Sequence, residues 1–264
     1  MKDKIEKEEL ISIIMPTYNS EGYVLKTVQS VINQSYQNWE LIITDDASTD
    51  NTVALLKNTF VREDRIKIYT NEINQGAAIT RNNSIKKAQG RYIAFLDSDD
   101  FWFPKKLEIQ LNFMKNNNCD LSYSSFIVVD EKGKQKGYVE ADKQVTYKSL
   151  LKQNTVGFST MMYDTKKIGK VYMPLIRKRQ DWALLLKIMK QENVMALGIK
   201  TPLTQYTLRK GSISSNKIRI IKHTWLVFYK IENMSKIKST YHFILFLYFY
   251  FLKIIRNRVF FHRV

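Results

Sequence analysis

Apolar positions follow two different patterns along the chain. Short apolar runs rich in β-branched residues and ended by turn residues predict buried strands at 10–15, 39–44, 66–69 and 91–96. Between these runs, apolar positions recur every three or four residues, which predicts helices over 21–33, from the capping segment 47–50 to residue 60, and over 77–89. This repeated alternation predicts an α/β fold with a mostly parallel, Rossmann-like central sheet flanked by helices.

The second half of the chain is less regular. Its pattern predicts a helix over 104–116, a strand over 120–129 followed by a turn at 131–134, and helices over 180–191 and 220–231. We detect no internal repeat and no linker rich in Pro or Gly. We therefore predict one α/β domain over residues 1–215 and a C-terminal helical extension over 216–264.

Composition supports a folded protein in a reducing compartment. Of the 264 residues, 44% are hydrophobic and 12% aromatic, which excludes a disordered or fibrous class. The single cysteine, Cys119, cannot form an internal disulfide, and no N-terminal run has the pattern of a secretion signal. We expect a cytoplasmic location.

Positive charge is concentrated at the C-terminal end. The formal net charge is +17, and residues 202–264 hold twelve Lys or Arg against one acid, Glu232. The stretch 243–252 is strongly apolar and aromatic, but it is too short to span a bilayer comfortably. Such a stretch beside basic residues is typical of a helix in the lipid interface, with an oligomerisation helix as the alternative.

Acidic side chains follow the predicted strands at the edge where α/β sheets bind ligands. Asp45 and Asp46 follow the second strand, Asp97 and Asp99 follow the fourth, and Asp181 comes later. An Asp-x-Asp pair supplies hard oxygen ligands for Mn²⁺ or Mg²⁺, and a divalent ion would allow a negatively charged nucleoside diphosphate to bind beside carboxylates. Turn formation and helix capping are the alternative roles for these residues.

The motifs resemble those of family 2 glycosyltransferases, which have the GT-A fold. The matching segments are Ile13-Ile14-Met15-Pro16-Thr17-Tyr18-Asn19, Ile43-Thr44-Asp45-Asp46-Ala47-Ser48-Thr49-Asp50, Asn74-Gln75-Gly76 with Thr80-Arg81-Asn82, and Phe95-Leu96-Asp97-Ser98-Asp99-Asp100. The resemblance covers 10–114 and continues more weakly to residue 215. The family often has Gly where this chain has Ala47.

The resemblance implies a role for each matching residue. Arg81 would lie close to the base and phosphates of a nucleotide-sugar, Asp97 would face the ribose and the metal, and Asp99 would bind the metal. The nucleoside would contact Pro16, Thr17, Tyr18, Asn19 and Asp46, with Asp45 as the other candidate carboxylate.

Two later segments complete the resemblance. The segment Arg179-Gln180-Asp181-Trp182 resembles the acidic motif of the family, which makes Asp181 the candidate general base of an inverting transfer; the alternative is an Asp favoured by the helix dipole. The segment 206–214 resembles a late loop in which Arg209 would bind the diphosphate, with a solvated basic loop as the alternative.

The resulting hypothesis is a metal-dependent enzyme of bacterial surface glycan synthesis, of the capsule, O-antigen or teichuronic acid type. It would transfer a sugar, from a UDP-sugar by preference, to a lipid-linked or polysaccharide acceptor at the inner face of the membrane. A homo-oligomer stays open, and no nucleic-acid partner is expected. The alternatives are a sugar-phosphate nucleotidyltransferase and a non-catalytic, basic nucleic-acid-binding protein.

Overall fold

A computed structural model describes residues 9–209 and 223–261, with side-chain placement up to residue 252. Within these residues, ten strands form one sheet. In chain order they are β1 Ile11–Thr17, β2 Trp39–Asp45, β3 Ile66–Thr70, β4 Tyr92–Phe95, β5 Phe101–Trp102, β6 Leu121–Asp130, β7 Gln135–Val139, β8 Gln144–Val145, β9 Met162–Asp164 and β10 Ala196–Leu208. The main order across the sheet is β3-β2-β1-β4-β9-β6-β10-β5, with β7 beside β6 and β8 beside β10.

Helices cover both faces of this sheet. They are α1 Val24–Ile32, α2 Thr52–Thr59, α3 Ala77–Lys87, α4 Lys106–Asn117, α5 Tyr147–Lys152, α6 Thr165–Ile168, α7 Gln180–Met189 and α8 Lys236–Phe261. A π-helical turn at Val227–Ile231 ends the predicted 220–231 helix, whose first residues lie outside the described part. The predicted domain boundary at residue 215 also lies outside it.

The parallel half of the sheet explains why the site forms where it does. β1, β2 and β4 are buried along their length, and alternate side chains enter separate hydrophobic clusters on the two faces. β3, β2, β1 and β4 pair in parallel, with Thr17 opposite Asp45 and Asp45 opposite Thr70. Their carboxyl ends therefore share one edge.

The parallel arrangement does not extend across the whole sheet. β9 runs antiparallel to β4 and β6, and β5 and β8 run antiparallel to β10. The α/β class with flanking helices is confirmed, but the sheet is mixed beyond β4. The short strands in this half lack the long apolar runs that made the first four predictable.

The C-terminal helix packs on the α/β domain. Phe246 of α8 is buried in the same cluster as Trp182 of α7, and their ring centroids are 5.5 Å apart. The predicted helical extension is therefore present. Across the described ranges, no helix combines the length and apolar character needed to cross a bilayer.

Candidate functional site

The loop after β2 is held by the buried carboxylate of Asp45. This carboxylate accepts hydrogen bonds from Thr17 Oγ1 at 3.0 Å and from the Ser48 amide at 2.8 Å. In the same loop, Ala47 adopts a φ of 59°, a left-handed backbone conformation that favours glycine. The departure from the family pattern at Ala47 is thus accommodated as a strained turn.

Asp46 organises a different loop. Its carboxylate accepts from the amides of Gln75 and Gly76 at 2.9 and 2.7 Å, and from Asn71 Nδ2 at 2.9 Å. These bonds hold the segment between β3 and α3 against the end of β2. Both members of the Asp45–Asp46 pair have structural partners, so each shapes the edge of the sheet.

The loop after β1 lies across this edge. Asn19, at φ 47°, accepts from the Thr49 amide through Oδ1 and donates from its backbone to Ser48 Oγ, both at 2.9 Å. Tyr18 is 48% exposed, whereas Thr17 is buried and Pro16 is half-buried. The loop therefore presents one aromatic ring to solvent beside Asp45 and Asp46.

Arg81 connects three elements of the site. Its Nη2 donates to Asp97 after β4 at 2.5 Å, and its Nη1 lies 3.5 Å from Gln180 Oε1 at the start of α7. The guanidinium carbon is 4.9 Å from the centroid of the Phe158 ring. The Asp97 carboxylate is a third exposed, so a ligand on this edge can reach the ion pair.

Arg209 closes the site from the other side. It follows β10, and its Nη1 lies 3.0 Å from Asp99 Oδ2 while its guanidinium carbon stacks 4.1 Å from the centroid of Tyr23. Burial and the charge of Asp97 raise the pKa of Asp99, and Arg209 opposes this shift. The remainder of the predicted loop, 210–214, lies outside the described residues.

Asp100 is a structural residue that sequence reasoning did not separate from its neighbours. It is buried and accepts from Ser159 Oγ at 2.5 Å and from the Thr207 amide at 3.2 Å. Burial, together with the charges of Asp97 and Asp99, raises its pKa well above the ordinary value. Asp100 therefore fixes the acidic loop to β10.

Ser159 is a site residue that no pattern in the sequence indicated. Its Oγ also accepts from the Asp97 amide at 3.1 Å, so one hydroxyl positions the whole turn from Asp97 to Asp100. A short 3₁₀ turn carries no periodic pattern from which this contact could be predicted.

Asp181 lies in the first turn of α7 and is half-buried. The preceding Arg179 adopts φ 64°, and its guanidinium lies over the rings of Trp182 and Phe246, where burial lowers its pKa. Within the described ranges, no hydrogen bond or ion pair occupies the Asp181 carboxylate. Gln180 links this turn to Arg81, the partner of Asp97, so the first turn of α7 lies at the same edge of the sheet.

The chemistry of Asp97 and Asp99 fits a divalent cation. Their carboxylates are partly exposed hard oxygen donors. Burial raises the pKa of Asp99, and the charge of Asp97 raises it further; a cation would relieve this repulsion between the two carboxylates. In the described part of the chain, no group of three or more His, Cys, Asp or Glu could hold a metal. An ion here would therefore need further oxygen ligands from a bound molecule, as Mg²⁺ commonly does with phosphates.

The structure brings the predicted residues together at one edge of the sheet. The carboxyl ends of β1, β2, β4 and β10 and the helices α3 and α7 contribute to it, and their contacts are made across long sequence separations. The assembled candidates are Pro16, Thr17, Tyr18, Asn19, Asp45, Asp46, Arg81, Asp97, Asp99, Asp181 and Arg209. The combination can bind an anion through Arg81 and Arg209, a cation through Asp97 and Asp99, and a proton at Asp181.

Comparison with known proteins identifies the family to which the chain belongs. Residues 12–171 match Glycosyl transferase family 2. The chain is 41% identical to the putative teichuronic acid biosynthesis glycosyltransferase TuaG of Bacillus subtilis over 89% of its length and 93% of that protein. It is 39% identical to the UDP-Glc:alpha-D-GlcNAc-diphosphoundecaprenol beta-1,3-glucosyltransferase WfgD of Escherichia coli, over 82% of this chain and 84% of that protein.

Solved structures show the same fold. TarS 1–349 of S. aureus, in complex with UDP-GlcNAc, superposes with a TM-score of 0.69 at 22% identity, over 91% of this chain and 72% of that one. The mannosyltransferase PcManGT of Pyrobaculum calidifontis, in complex with GDP-Man and Mn²⁺, gives a TM-score of 0.65 at 15% identity, over 88% and 66%. The GT-A fold predicted from the motifs is confirmed.

Proposed function

Because the chain belongs to glycosyl transferase family 2 and is a glycosyltransferase of bacterial surface glycan synthesis, we propose that it transfers a sugar from a UDP-sugar to a lipid-linked glycan with inversion at the anomeric carbon. The observation that carries this proposal is the edge at which Arg81 and Arg209 pair with Asp97 and Asp99. WfgD, which by its name uses UDP-Glc and a diphosphoundecaprenol acceptor, supports both substrate classes. Family membership favours this function over the nucleotidyltransferase and nucleic-acid-binding alternatives.

The donor nucleotide binds across the ends of β1, β2 and β4 in this proposal. The exposed Tyr18 ring and the Asp45–Asp46 loop receive the nucleoside, and Asp97 faces the ribose. Arg81 and Arg209 exchange part of their bonding to Asp97 and Asp99 for bonding to the diphosphate. Charge-assisted bonds from guanidinium groups to phosphate oxygens are strong enough to support that exchange.

Asp99 and Asp97 would hold Mn²⁺ or Mg²⁺ together with diphosphate oxygens. Such an ion, when bound, neutralises negative charge on the departing diphosphate. Arg209 Nη1 lies 3.0 Å from Asp99 Oδ2, so its positive charge compensates part of the charge of that carboxylate.

Asp181 is the proposed general base. Its carboxylate takes the proton from an acceptor hydroxyl as the hydroxyl oxygen bonds to the anomeric carbon, while the bond from that carbon to the diphosphate breaks on the opposite face. No covalent enzyme intermediate forms. The half-buried position, free of described hydrogen-bond partners, leaves the carboxylate available for this role.

We place the enzyme at the inner face of the cell membrane, where a lipid-linked acceptor is presented. Residues 1–215 would form the catalytic domain and 216–264 the tail that contacts the membrane. The proposed metal, nucleotide and acceptor sites all lie in the first of these two parts.

The function is tested by a transfer assay with purified protein. UDP-glucose, UDP-N-acetylglucosamine, GDP-mannose and a CDP-sugar are each supplied with Mn²⁺ and a polyprenyl-diphosphate-linked sugar, and the elongated lipid is detected by mass spectrometry. We expect elongation with a UDP-sugar and an inverted linkage by NMR. A product with retained configuration would contradict the mechanism, and nucleotide-sugar synthesis from a sugar phosphate and UTP would support the nucleotidyltransferase instead.

A further inference from the structure

The outer face of α8 is an exposed apolar stripe. We define it as Ile237, Tyr241, Ile244, Tyr248, Phe251 and Leu252, whose side chains are between 43% and 83% exposed. Their spacing of three or four residues places them on one side of the helix, within an arc of roughly 100°. Exposed apolar surface of this continuity marks an interaction site more often than a solvated surface.

The opposite face of α8 fixes the direction of this stripe. Phe246 packs against Trp182 with tilted rings, and His242 stacks against Phe228 with ring centroids 5.6 Å apart. Ser239 is fully buried on the same side. Because the inner face is committed to the core, the outer face cannot turn inward to bury its own apolar side chains.

Charge identifies the partner that fits the stripe. The sequence of α8 contains Lys236, Lys238, Lys253, Arg256 and Arg258, and it contains no acidic residue. A second copy of the helix packed on the stripe would bring like charges together in either orientation. An anionic surface would instead attract the basic residues that flank the stripe.

The side chains in the stripe also suit a lipid interface. Tyr241 and Tyr248 combine an apolar ring with a polar hydroxyl, as residues at the headgroup level do. Ile237, Ile244 and Phe251 supply aliphatic and aromatic area on the same line. A helix with this pattern lies in the plane of the interface rather than across the bilayer.

We propose that the outer face of α8 binds an anionic lipid bilayer, with the helix parallel to the membrane. This inference deepens the membrane location in the proposed function by assigning it to one face of one helix. It also orients the site, because the inner face of the same helix contacts Arg179 and Trp182, the neighbours of Asp181. The first turn of α7, which carries the candidate base, then lies directly behind the lipid-facing helix.

Vesicle flotation with the full chain tests the inference. The probes are phosphatidylcholine vesicles with and without phosphatidylglycerol, at low and high salt. The variants are Ile244→Glu and the uncharged Tyr248→Ser in the stripe, with Val61→Glu as the matched control, since Val61 is 74% exposed on the turn after α2. Thermal unfolding confirms that each variant is folded.

We expect the wild type and Val61→Glu to float with phosphatidylglycerol vesicles, less so at high salt. Binding falls about tenfold or more in Ile244→Glu and by a smaller factor in Tyr248→Ser, because apolar burial and charge both drive interfacial binding. Unchanged flotation of Ile244→Glu would overturn the proposal. The proposal would also be overturned if the wild type did not bind vesicles but formed a dimer in sedimentation velocity, and if Ile244→Glu disrupted that dimer.

A parallel titration with UDP separates this inference from the proposed function. Ile244→Glu is expected to keep the UDP affinity of the wild type, because the stripe contributes nothing to the nucleotide edge. Vesicle binding without any nucleotide binding would refute the proposed function and leave the lipid surface in place. Nucleotide binding without vesicle binding would refute only the lipid surface.

Discussion

Arg209 Nη1 lies 3.0 Å from Asp99 Oδ2 although the two residues are 110 positions apart in the sequence. This ion pair joins the end of β10 to the acidic loop after β4. The guanidinium carbon of Arg209 also lies 4.1 Å from the ring centroid of Tyr23, and this stacking holds the guanidinium at the edge of the sheet. We interpret Asp99 as the partner that Arg209 exchanges, in part, for the donor diphosphate.

Arg209→Ala is predicted to weaken the binding of UDP but not of uridine. The loss of a charge-assisted bond to phosphate reduces affinity by roughly ten- to a hundredfold, and uridine has no phosphate to lose. Isothermal titration with both ligands measures this difference. Arg62→Ala, at an exposed arginine on the turn after α2, is the control with the same charge change. Equal weakening of uridine and UDP would show that Arg209 acts only through the fold.

Asp46→Ala is predicted to lower both stability and nucleotide affinity. It leaves the part-buried amides of Gln75 and Gly76 without their acceptor, and each lost hydrogen bond to a charged group costs about 1.5–3 kcal/mol of unfolding free energy. Urea denaturation and UDP titration check the two effects. Asp64→Ala, which removes a carboxylate from an exposed turn, is the control. Full stability in Asp46→Ala would show that these bonds do not hold the loop.

Asp181→Asn is predicted to reduce kcat by roughly 100- to 10,000-fold, because the amide cannot take the proton from the hydroxyl group of the acceptor substrate. The affinity for UDP should change little. Single-turnover transfer measures kcat, and calorimetry measures affinity. Glu192→Gln, an identical charge change on an exposed residue just beyond α7, is the control. Unimpaired transfer by Asp181→Asn would leave the residue as a helix-dipole partner and no more.

Lys106→Met is predicted to stabilise the protein near neutral pH. Lys106 is fully buried, its Nζ has no hydrogen-bond partner within the described residues and lies 3.7 Å from the Trp102 ring centroid, and burial lowers its pKa well below the ordinary value. Above the folded pKa, the native state holds this lysine neutral while the unfolded state binds a proton. Stability therefore rises with pH up to the unfolded pKa.

The pH dependence distinguishes this effect from simple repacking. The lysine adds a slope of up to about 1.4 kcal/mol per pH unit between the folded and unfolded pKa values. Denaturant midpoints measured at several pH values from 6 to about 10 should show that slope in the wild type and its loss in Lys106→Met. The same slope in both proteins would mean that Lys106 stays protonated in the fold.

The parallel half of the sheet was predictable from the sequence pattern. β1, β2 and β4 are buried on both faces, so continuous apolar runs identified them, and the acidic residues after them were placed at one edge by the logic of parallel strands. Asp45, Asp46, Asp97 and Asp99 were predictable for that reason. The family motifs then favoured a nucleotide-sugar site over ordinary turns and caps.

Other contacts were not accessible from local patterns. Ser159 meets Asp97 and Asp100 across 62 and 59 positions, and Gln180 meets Arg81 across 99. Spacing along a strand or helix reports only which residues share a face, so such pairings require the tertiary structure. The stripe on α8 was similarly hidden, because the sequence showed an apolar aromatic segment without revealing which side the core would cover.

Calorimetric titration of UDP, GDP and CDP with and without Mn²⁺ tests the central claim most directly, on the wild type and on Asp99→Ala. We predict that UDP binds the wild type more tightly with Mn²⁺ and that this gain disappears in Asp99→Ala. Failure of all three nucleotides to bind the folded wild type, or the same Mn²⁺ dependence in Asp99→Ala, would contradict the account.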